Sequence, residues 1–382
     1  GSGDGLAQAG GSASAAAPEL PYLPPMPRTY RPRIGLVGCG GISEYHLRAY
    51  RAMGLEVSAL CDVDPARAER RRAEFFPGAE IFTDHRELLR RSDVEVVDLA
   101  LHPQERVRAI EDSLRARRHV LSQKPFVLDL DTGARLADLA DAMDVRLAVN
   151  QNGRWAPHFA WMTSAVRAGL LGRVASVDFT LQWDHTWTAG TPFEEIRHLV
   201  LFDFGIHWFD LTARLLRGRA VRRVTASATR TAFQQMRPPM LAAVNVECDD
   251  AQVRMAFNGH VLHGQEDRTV ICGEKGTLRS VGPSLSDQRV TLSNAKGAAE
   301  PRLGGTWFTS GFQGAMGELL CSIEEQRAPD HDARGNLDGL ALSFAAMASA
   351  DTGRPVAPGA ARHAPGRRAQ PHHGTIGRGA AQ

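Results

Sequence analysis

RIGLVGCGGIS, residues 33–43, decides the fold, because a short apolar run here ends in a glycine-rich loop. A helical pattern over residues 42–53 follows the loop directly. Gly38 permits a tight turn, and Gly40 lets the backbone approach a pyrophosphate, whose charge then faces the N-terminus of the helix. Because a strand precedes the loop and a helix follows it, the stretch predicts the βα turn of a dinucleotide site rather than an isolated tight turn.

An acidic residue stands where such a site needs one. Asp62 follows the second predicted strand, about 20 positions after Gly40, and its carboxylate can accept hydrogen bonds from an adenosine ribose. Because a carboxylate would repel a 2′-phosphate, NAD(H) is favoured over NADP(H), although Arg67 nearby keeps NADP(H) open. Helix N-capping is the alternative role for Asp62, but Asp64 beside Pro65 fits it better, and a methyltransferase can share this loop and acid. The predicted cofactor contacts here are Gly38, Cys39, Gly40, Gly41, Ile42, Asp62 and Arg67.

The segments around this turn alternate between short apolar strands and helices up to about residue 150. Such alternation predicts a parallel sheet covered on both faces, and we assign residues 31–152 to a doubly wound, NAD-binding Rossmann domain of the α/β class. Residues 1–30 are rich in Gly, Ala, Ser and Pro and bury little apolar surface. They predict an arm that is either disordered or a strap that docks on a neighbouring subunit.

The rest of the chain has a different pattern of predicted secondary structure. Longer segments of alternating polar and apolar residues predict an open, mainly antiparallel sheet, interrupted by a helix over residues 201–216 and closed by helices over 311–326 and 336–350. We assign residues 153–356 to an α+β domain for substrate binding and oligomerisation, whose last helix packs either there or back on the Rossmann domain. Residues 357–382 contain few large apolar side chains and predict a disordered tail.

Composition and charge exclude several classes of protein. In this 382-residue chain 45 basic residues nearly balance 43 acidic ones, which argues against a nucleic-acid partner. No apolar run approaches the ~18–20 residues of a membrane span. Five scattered Cys without a CxxC pair predict reduced thiols in a cytoplasmic protein, with no disulfide frame and no metal site.

Lysine is rare in this chain, which draws attention to Lys124. The sequence has 42 Arg and three Lys. Lys124 follows Gln123 at the carboxyl edge of a predicted strand, the edge where open α/β folds bind their ligands. An ammonium can give up a proton that a guanidinium keeps. The position therefore predicts a proton relay or a contact with a substrate hydroxyl, and a surface lysine before a turn proline is the alternative.

Asp203 and His207 are four positions apart in LFDFGIHWFDL, so on one helix they would share a face. An aspartate that accepts a hydrogen bond from an imidazole N–H fixes the tautomer and favours the charged form of the ring. The spacing predicts His207 as a general base that Asp203 orients. A surface contact between the two side chains is the alternative.

Aromatic residues crowd the region around this pair. Five of the six Trp lie between residues 155 and 208, and some of them must belong to the core. Aromatic faces beside bidentate donors suit sugar rings, which have C–H faces and hydroxyl edges. The predicted substrate contacts are Arg154, Trp155, His185 and Trp187.

Taken together, these motifs resemble one known family. The chain resembles the Gfo/Idh/MocA oxidoreductases, which include glucose-fructose oxidoreductase and inositol 2-dehydrogenase, over residues 33–356. The resemblance rests on GLVGCGGIS, CDVDPARA, HVLSQKP, NQNGRWAP, DFGIHWFD and NLDGLALSFAAMASADTGRPV, in that order. In that family the lysine of an E-K-P motif and a D-x-x-x-H pair act on a sugar or cyclitol hydroxyl beside the nicotinamide. These residues fall on Lys124, Asp203 and His207, which the resemblance implies are catalytic.

Two positions depart from the family pattern. Gln123 replaces the usual Glu and removes one negative charge beside Lys124, and His102-Pro103 stands where Thr-Pro is common. The resemblance implies that His102, Gln123 and Lys124 also lie near the cofactor. It implies an NAD(H)-dependent oxidoreductase that acts on CH–OH groups of a sugar, sugar derivative or cyclitol. The alternatives are an enzyme for a non-sugar carbonyl or diol and a non-catalytic nucleotide-binding regulator of the same fold.

The open face of the second sheet bears on oligomerisation. If its apolar positions are continuous, the face should not remain exposed to water. The sequence therefore predicts a homodimer or homotetramer formed through this face.

Overall fold

The structure is a computed structural model and describes residues 15–366. The first domain contains a six-stranded sheet in which every strand pairing is parallel, in the order β3-β2-β1-β4-β5-β6. Its elements are β1 (Arg33–Val37), α1 (Ser43–Ala52), β2 (Glu56–Cys61), α2 (Pro65–Phe75), β3 (Glu80–Phe82), α3 (His85–Leu88), β4 (Val94–Leu99), α4 (Pro103–Arg115), β5 (His119–Gln123), α5 (Leu130–Ala142) and β6 (Leu147–Asn150). The strand order reverses between β1 and β4, which creates a crevice at the carboxyl ends of the strands. The predicted doubly wound domain is confirmed.

The second domain contains an eight-stranded sheet in the order β14-β13-β12-β11-β7-β10-β9-β8. Its elements are α6 (Pro157–Arg167), β7 (Val174–Gln182), α7 (Ile206–Leu215), β8 (Val221–Thr229), β9 (Leu241–Cys248), β10 (Gln252–Asn258), β11 (Glu266–Gly273), β12 (Gly276–Ser284), β13 (Asp287–Asn294), β14 (Gly297–Ala299), α8 (Trp307–Glu324) and α9 (Ala333–Thr352). Strands β7 and β10 run parallel, and the other neighbours run antiparallel. The predicted open, mainly antiparallel sheet is confirmed.

The two faces of this sheet differ in polarity. Along β10 the buried residues Val253, Met255 and Phe257 alternate with exposed ones, as expected for a sheet with one covered face. On the outer face Arg254 donates to the Asp178 carboxylate at 2.8 Å. The outer face is therefore not continuously apolar at this position. Our prediction of oligomerisation assumed a continuous apolar face, so the charged pair removes that reason for it here.

The last two helices return to the first domain. Phe312 and Met316 of α8 are buried in one cluster with Leu47 and Tyr50 of α1. The next helix, α9, packs on α5, where the position of a Cβ on Gly133 would lie 2.5 Å from the Leu337 side chain. At the other side of α9, Ser349 Oγ accepts from Ala226 N of β8 at 2.9 Å, so α9 connects the Rossmann domain to the second sheet.

The N-terminal arm packs on the surface of its own chain from residue 15 onward. The backbone N–H groups of residues 28–30 all donate to the Glu324 carboxylate, at 2.7–3.0 Å. Ala15 N donates to Ala298 O at 3.1 Å. Residues 1–14 of the predicted arm lie outside the described residues.

The C-terminal tail begins later than the sequence predicts. Ala364 N donates to Leu128 O, and Leu130 N donates to Arg362 O, each at 2.9 Å. The prediction of disorder is therefore wrong for residues 357–366, because their backbone pairs with the segment that leads into α5. Residues 367–382 lie outside the described part of the chain.

Within residues 15–366, no helix is both long enough and apolar enough to span a bilayer.

Candidate active site

The glycine loop between β1 and α1 borders a cavity of about 750 Å³ at the carboxyl end of the parallel sheet. Gly38 has φ +96°, and a Cβ there would lie 2.6 Å from Ala100 O, so the turn requires glycine. A Cβ on Gly40 or Gly41 would meet no atom within 4 Å. The loop therefore leaves open space in front of α1, where a pyrophosphate can approach the backbone.

Asp62 lies at the end of β2 and lines the same cavity. Its carboxylate accepts hydrogen bonds from Cys39 N and Asp64 N, both at 2.8 Å. The Asp64 side chain caps α2 by accepting from Ala66 N at 3.0 Å, so Asp62 does not have the alternative capping role. Since a carboxylate can accept about four hydrogen bonds, Asp62 keeps acceptor capacity for ribose hydroxyls. These groups fit the adenosine half of a dinucleotide.

The other predicted cofactor contacts divide between two cavities. Arg67 and His102 line the cavity beside Asp62, whereas Ile42 and Gln123 line the neighbouring one. Cys39 differs from the prediction, because its N–H is already bonded to Asp62 and its side chain is buried. Burial raises the pKa of the Cys39 thiol to about 12.

Sequence reasoning missed Arg71, which lies beside the glycine loop. Its guanidinium donates to Gly40 O at 3.0 Å and to Ser43 Oγ at 2.9 Å. The arginine stands on α2, nine positions after Asp62, and no sequence motif marks it. The two bonds hold the backbone of the loop, whereas Arg71 is not among the residues that line the cavity beside Asp62.

Lys124 follows β5 and lies where the two domains meet. Its Nζ donates to Asp203 O at 2.8 Å and lies 3.7 Å from the Asp203 carboxylate. The lysine side chain is 15% exposed, so it is neither the surface residue of the alternative prediction nor fully buried. It lines a second cavity, of about 600 Å³, together with Asp203 and His207.

A buried arginine holds the backbone on both sides of Lys124. Arg106 of α4 is fully buried, and its guanidinium donates to Gln123 O and Pro125 O. Burial lowers the pKa of Arg106 to about 9. Two donors in a rigid fork fix both neighbouring peptide units, so Arg106 is a positioning residue for the lysine. The sequence missed it, since the contact joins α4 to a loop that follows β5.

Replacing Arg106 with methionine is expected to lower kcat by about tenfold or more, since a small displacement of a catalytic group is sufficient for this. Two carbonyls would lose their donors, at about 1–3 kcal/mol each, so the melting temperature should fall as well. Arg106→Lys should restore part of kcat, because an ammonium can still reach one carbonyl. Equal kcat values for Arg106→Met and for the surface variant Arg115→Met would refute the positioning role.

Asp203 and His207 do not form the predicted pair. Asp203 lies in a π-helical turn (Val200–Phe204), and α7 begins after it. Gly205 N donates to Val200 O at 2.7 Å, a contact that a Cβ on Gly205 would obstruct at 2.5 Å. The wider turn rotates Asp203 away from the face of α7, and its carboxylate faces Lys124 instead. Within the described chain it makes no hydrogen bond to His207.

His207 is oriented by amides rather than by a carboxylate. Its Nδ1 lies 3.3 Å from Gln151 Nε2, and Gln151 Oε1 accepts from Asn336 Nδ2 at 3.2 Å. Burial, together with the positive charge of Lys124, holds the pKa of His207 well below its usual range. The prediction that an acid favours the charged ring is therefore wrong. A neutral imidazole is the form that can act as a base.

The Gln151–Asn336 pair sets the tautomer of His207. A Gln151 N–H directed at Nδ1 keeps the imidazole proton on Nε2, where it can donate a hydrogen bond but the ring cannot accept a proton. Rotating both amides directs the Gln151 oxygen at Nδ1–H and leaves the lone pair on Nε2, where it can accept a proton. The second orientation is therefore the one in which His207 can act as a base, and the imidazolium that then forms can return the proton in the reverse direction.

Gln151→Glu is expected to move the acid limb of the kcat/KM pH profile to higher pH. A carboxylate beside Nδ1 favours the charged imidazole and raises the pKa of His207. Because the base is lost when the ring is protonated, activity should then fall at a higher pH than in the wild type. Gln151→Met should lower kcat without this shift, and identical profiles for Gln151→Glu and the wild type would argue against the contact.

The predicted substrate residues separate into two groups. His185 and Trp187 line the 600 Å³ cavity. Arg154 points away from it and forms a buried bidentate pair with Asp210, at 2.8 Å for both bonds. Trp155 packs edge-on against the His331 ring, with centroids 4.9 Å apart. Arg154 and Trp155 are therefore structural, and the prediction that they bind substrate is wrong.

Their neighbours supply the site instead. Asn152 begins the short turn that also holds Arg154, and its Oδ1 accepts from Trp307 Nε1 at 2.8 Å. Asn152 and Trp307 both line the 600 Å³ cavity. The Trp307 ring lies 5.1 Å from the His207 ring. Sequence alone did not separate these residues, because a turn directs successive side chains to opposite sides.

The parallel sheet, its glycine loop and the acid after β2 define a Rossmann protein with a dinucleotide site, and the second domain completes a cavity beside that site. Comparison with known families agrees with this class. Residues 32–151 match the model of the oxidoreductase family with an NAD-binding Rossmann fold, and residues 159–279 match the Gfo/Idh/MocA C-terminal domain. The chain belongs to the Gfo/Idh/MocA oxidoreductases, which confirms the resemblance seen in its motifs.

Similar proteins span nearly the whole of the described chain. A D-apiose dehydrogenase from Paraburkholderia graminis is 27% identical, over 84% of this chain and 88% of its own. The myo-inositol dehydrogenase Hyg17 from Streptomyces leeuwenhoekii is 28% identical, over 85% of this chain and 99% of its own. The crystal structure of an oxidoreductase from Agrobacterium radiobacter, in complex with NAD+, L-tartaric acid and magnesium, has a TM-score of 0.77 at 21% identity and covers 87% of this chain and 99% of its own. The last likeness shows the fold alone.

Proposed function

We propose that this protein is an NAD(H)-dependent dehydrogenase that interconverts a secondary hydroxyl and a ketone on a sugar, sugar derivative or cyclitol. The observation that carries the proposal is that Lys124 of the first domain and His207 of the second line one cavity. Ile42, next to the glycine loop, lines it too. The relatives named for D-apiose and myo-inositol support a polyhydroxylated substrate.

The side chains divide the chemistry between them. Bound NAD+ supplies the acceptor for the hydride that leaves the carbon. His207 accepts the hydroxyl proton in oxidation and returns it in reduction, and positioned proton transfer of this kind contributes about 10²–10⁴-fold. Lys124 donates a hydrogen bond to the same oxygen and stabilises its developing negative charge. Asp203 holds the ammonium in place through its carbonyl and its carboxylate.

A substrate screen tests the proposal. The protein would be incubated with NAD+ and a panel of pyranoses, pentoses and inositols, with simple diols as part of the non-sugar arm, and NADH formation followed by absorbance. Cyclic imines, which accept a hydride, would complete the non-sugar arm in a separate incubation with NADH, whose consumption would be followed. We expect turnover with at least one sugar or cyclitol. If NADH binds but the non-sugar arm alone reacts, the substrate class is wrong.

We propose NAD(H) as the preferred cofactor, because Asp62 would meet the ribose hydroxyls. Asp62→Asn keeps the shape of the side chain and removes its charge, and a hydrogen bond to a charged group contributes about 1.5–3 kcal/mol. The ratio of kcat/KM for NADP+ to that for NAD+ should therefore rise by about tenfold or more. Asp249→Asn, which changes an exposed aspartate of the second domain, serves as the control. An unchanged ratio would mean that Asp62 does not select the cofactor.

We also propose that the protein is cytoplasmic and that copies of it associate through the outer face of the second sheet. All five cysteines are free thiols, which suits a reducing compartment. Opposite charges such as Arg254 and Asp178 lie on the same face. A two-fold contact, which places one patch on its own copy, can pair such charges.

A further inference from the structure

We propose that the outer half of the substrate cavity binds an apolar, ring-bearing group attached to the sugar, so that the substrates are uncharged glycosides of aromatic aglycones. The inference rests on the proposed function, because oxidation at Lys124 and His207 determines which end of the substrate lies innermost. The size of the cavity, its aromatic lining and its charge support the inference separately.

The cavity is larger than a small polyol needs. Its volume is about 600 Å³, within the range of pockets that enclose drug-sized ligands, about 300–1,000 Å³. Lys124 and Asp203 are only 15% and 18% exposed, so the reacting groups are at its inner end. A sugar ring held there leaves the outer part of the cavity for a second group.

Three aromatic side chains form the outer wall, which we call the aromatic wall: Trp187, Phe193 and Phe204. The ring centroid of Trp187 lies 5.3 Å from that of Phe193 and 6.1 Å from that of Phe204, and the two Phe rings are 5.9 Å apart. Trp187 remains 53% exposed. Phe308 of α8 also lines the cavity and is 43% exposed. Large exposed apolar side chains that line one cavity indicate a binding surface.

Trp187 of the aromatic wall lies outside the folding core, whereas Phe193 and Phe204 are half-buried and pack against the edge of the core. Trp187 and Phe193 stand on two short 3₁₀ helices, Thr186–Thr188 and Pro192–Glu195, in the connection between β7 and α7. Trp187 Nε1 donates to His185 Nδ1 at 3.1 Å, which fixes the indole in an exposed position. Packing within the chain leaves 53% of Trp187 exposed, and an apolar ligand would cover this surface.

A separate set of rings is available for the sugar itself. Trp183, Trp208 and Trp307 line the inner part of the cavity, and Trp307 lies 5.1 Å from the His207 ring. The C–H face of one sugar needs no more than these. The aromatic wall is therefore in excess of what a bare sugar or cyclitol requires.

The charge of the cavity favours an uncharged aglycone over a nucleotide-linked sugar. Of the residues described in the structure, Lys124 is the one Lys or Arg that lines this cavity, and it already faces Asp203. Burial lowers the pKa of His185 to about 4, so this ring is neutral near pH 7. Asp184 adds a further acid to the lining. A diphosphate in this cavity would therefore lack the charge-assisted hydrogen bonds that Lys and Arg side chains give to phosphate groups.

Matched glycosides test the inference. For each of glucose, galactose and xylose, the methyl and phenyl β-glycosides form a pair that differs only in the aglycone. Their kcat/KM values with NAD+ would be compared, and their affinities measured by quenching of tryptophan fluorescence in the presence of NADH. For at least one sugar we expect the phenyl glycoside to bind about tenfold more tightly than the methyl glycoside, as burial of an aromatic ring predicts.

Variants of the aromatic wall test whether it is the site that binds the phenyl group. Trp187→Ala and Phe193→Ala should reduce the phenyl-to-methyl ratio of affinities to about twofold or less, because each removes a ring of the wall. Phe233→Ala is the matched control, since Phe233 is 68% exposed and does not line the cavity. This control should keep the wild-type ratio.

The outcomes separate the inference from the proposed function. Turnover of sugars with equal affinity for both glycosides would overturn the aglycone site and leave the dehydrogenase assignment intact. A phenyl preference that Trp187→Ala abolishes, without turnover of any glycoside, would support the site and contradict the assignment. A preference that persists in Trp187→Ala and Phe193→Ala would place the aglycone elsewhere and refute the inference.

Discussion

His207→Ala is expected to lower kcat for oxidation of an identified sugar or cyclitol by about 10²–10⁴-fold, the contribution of a positioned base. Binding of NADH should persist, because His207 does not line the cavity beside Asp62. The measurement is steady-state kinetics together with a fluorescence titration of NADH. His263→Ala, an exposed histidine in a loop of the second domain, is the matched control and should keep full activity.

The pH dependence of the wild type provides a second check on His207. Burial and Lys124 hold its pKa well below the ordinary value of 6.5. The neutral ring is the base, so oxidation is lost as pH falls through this lowered pKa. The acid limb of the kcat/KM profile should therefore lie below pH 6.5. A limb above that value, or a His207→Ala variant with less than a tenfold loss of kcat, would remove the residue from the proposed role.

Lys124→Ala is expected to lower kcat/KM by about 10²–10³-fold, as the loss of one donor to a developing oxyanion does in other enzymes. The variant also leaves Asp203 without its cation. Lys124→Arg should fail to restore the rate, because a planar guanidinium places its donors differently from a compact ammonium. Kinetics with an identified substrate and NAD+ would measure both variants.

Two further measurements make the lysine result interpretable. Lys296→Ala removes an exposed lysine of the second domain and should leave kcat/KM unchanged. The affinity for NADH of the Lys124 variants should remain close to that of the wild type. Retention of at least a tenth of the activity in Lys124→Ala would show that the ammonium does not stabilise the reacting oxygen.

Local patterns predicted the parts of the molecule that local physics determines. The strand, glycine loop and helix within residues 33–52 form as expected, because the turn needs Gly38 with its positive φ. Asp62 falls at the end of β2 because the spacing of a βα unit is regular. The sequence pattern did not predict β3 and α3, because elements of three and four residues are too short to show a hydrophobic periodicity.

Other features depend on contacts between distant segments. The spacing of Asp203 and His207 predicts that they share one face of a helix, but a single π-helical turn places them on different faces. The i, i+4 spacing in the sequence is the same whether the turn is α-helical or π-helical, so the sequence does not reveal the difference. Gln151 and Arg106 act through partners far along the chain. Arg154 looked like a substrate ligand, since nothing in the sequence shows that Asp210 neutralises it.

The contact between Lys124 and Asp203 also joins the two domains. An ammonium has three N–H donors. One of them reaches Asp203 O at 2.8 Å, across the boundary between the domains. In the proposed mechanism the same nitrogen donates to the reacting oxygen, so one side chain would serve both the chemistry and the attachment of one domain to the other. Removal of Lys124 would therefore cost a contact between the domains as well as a donor in the cavity.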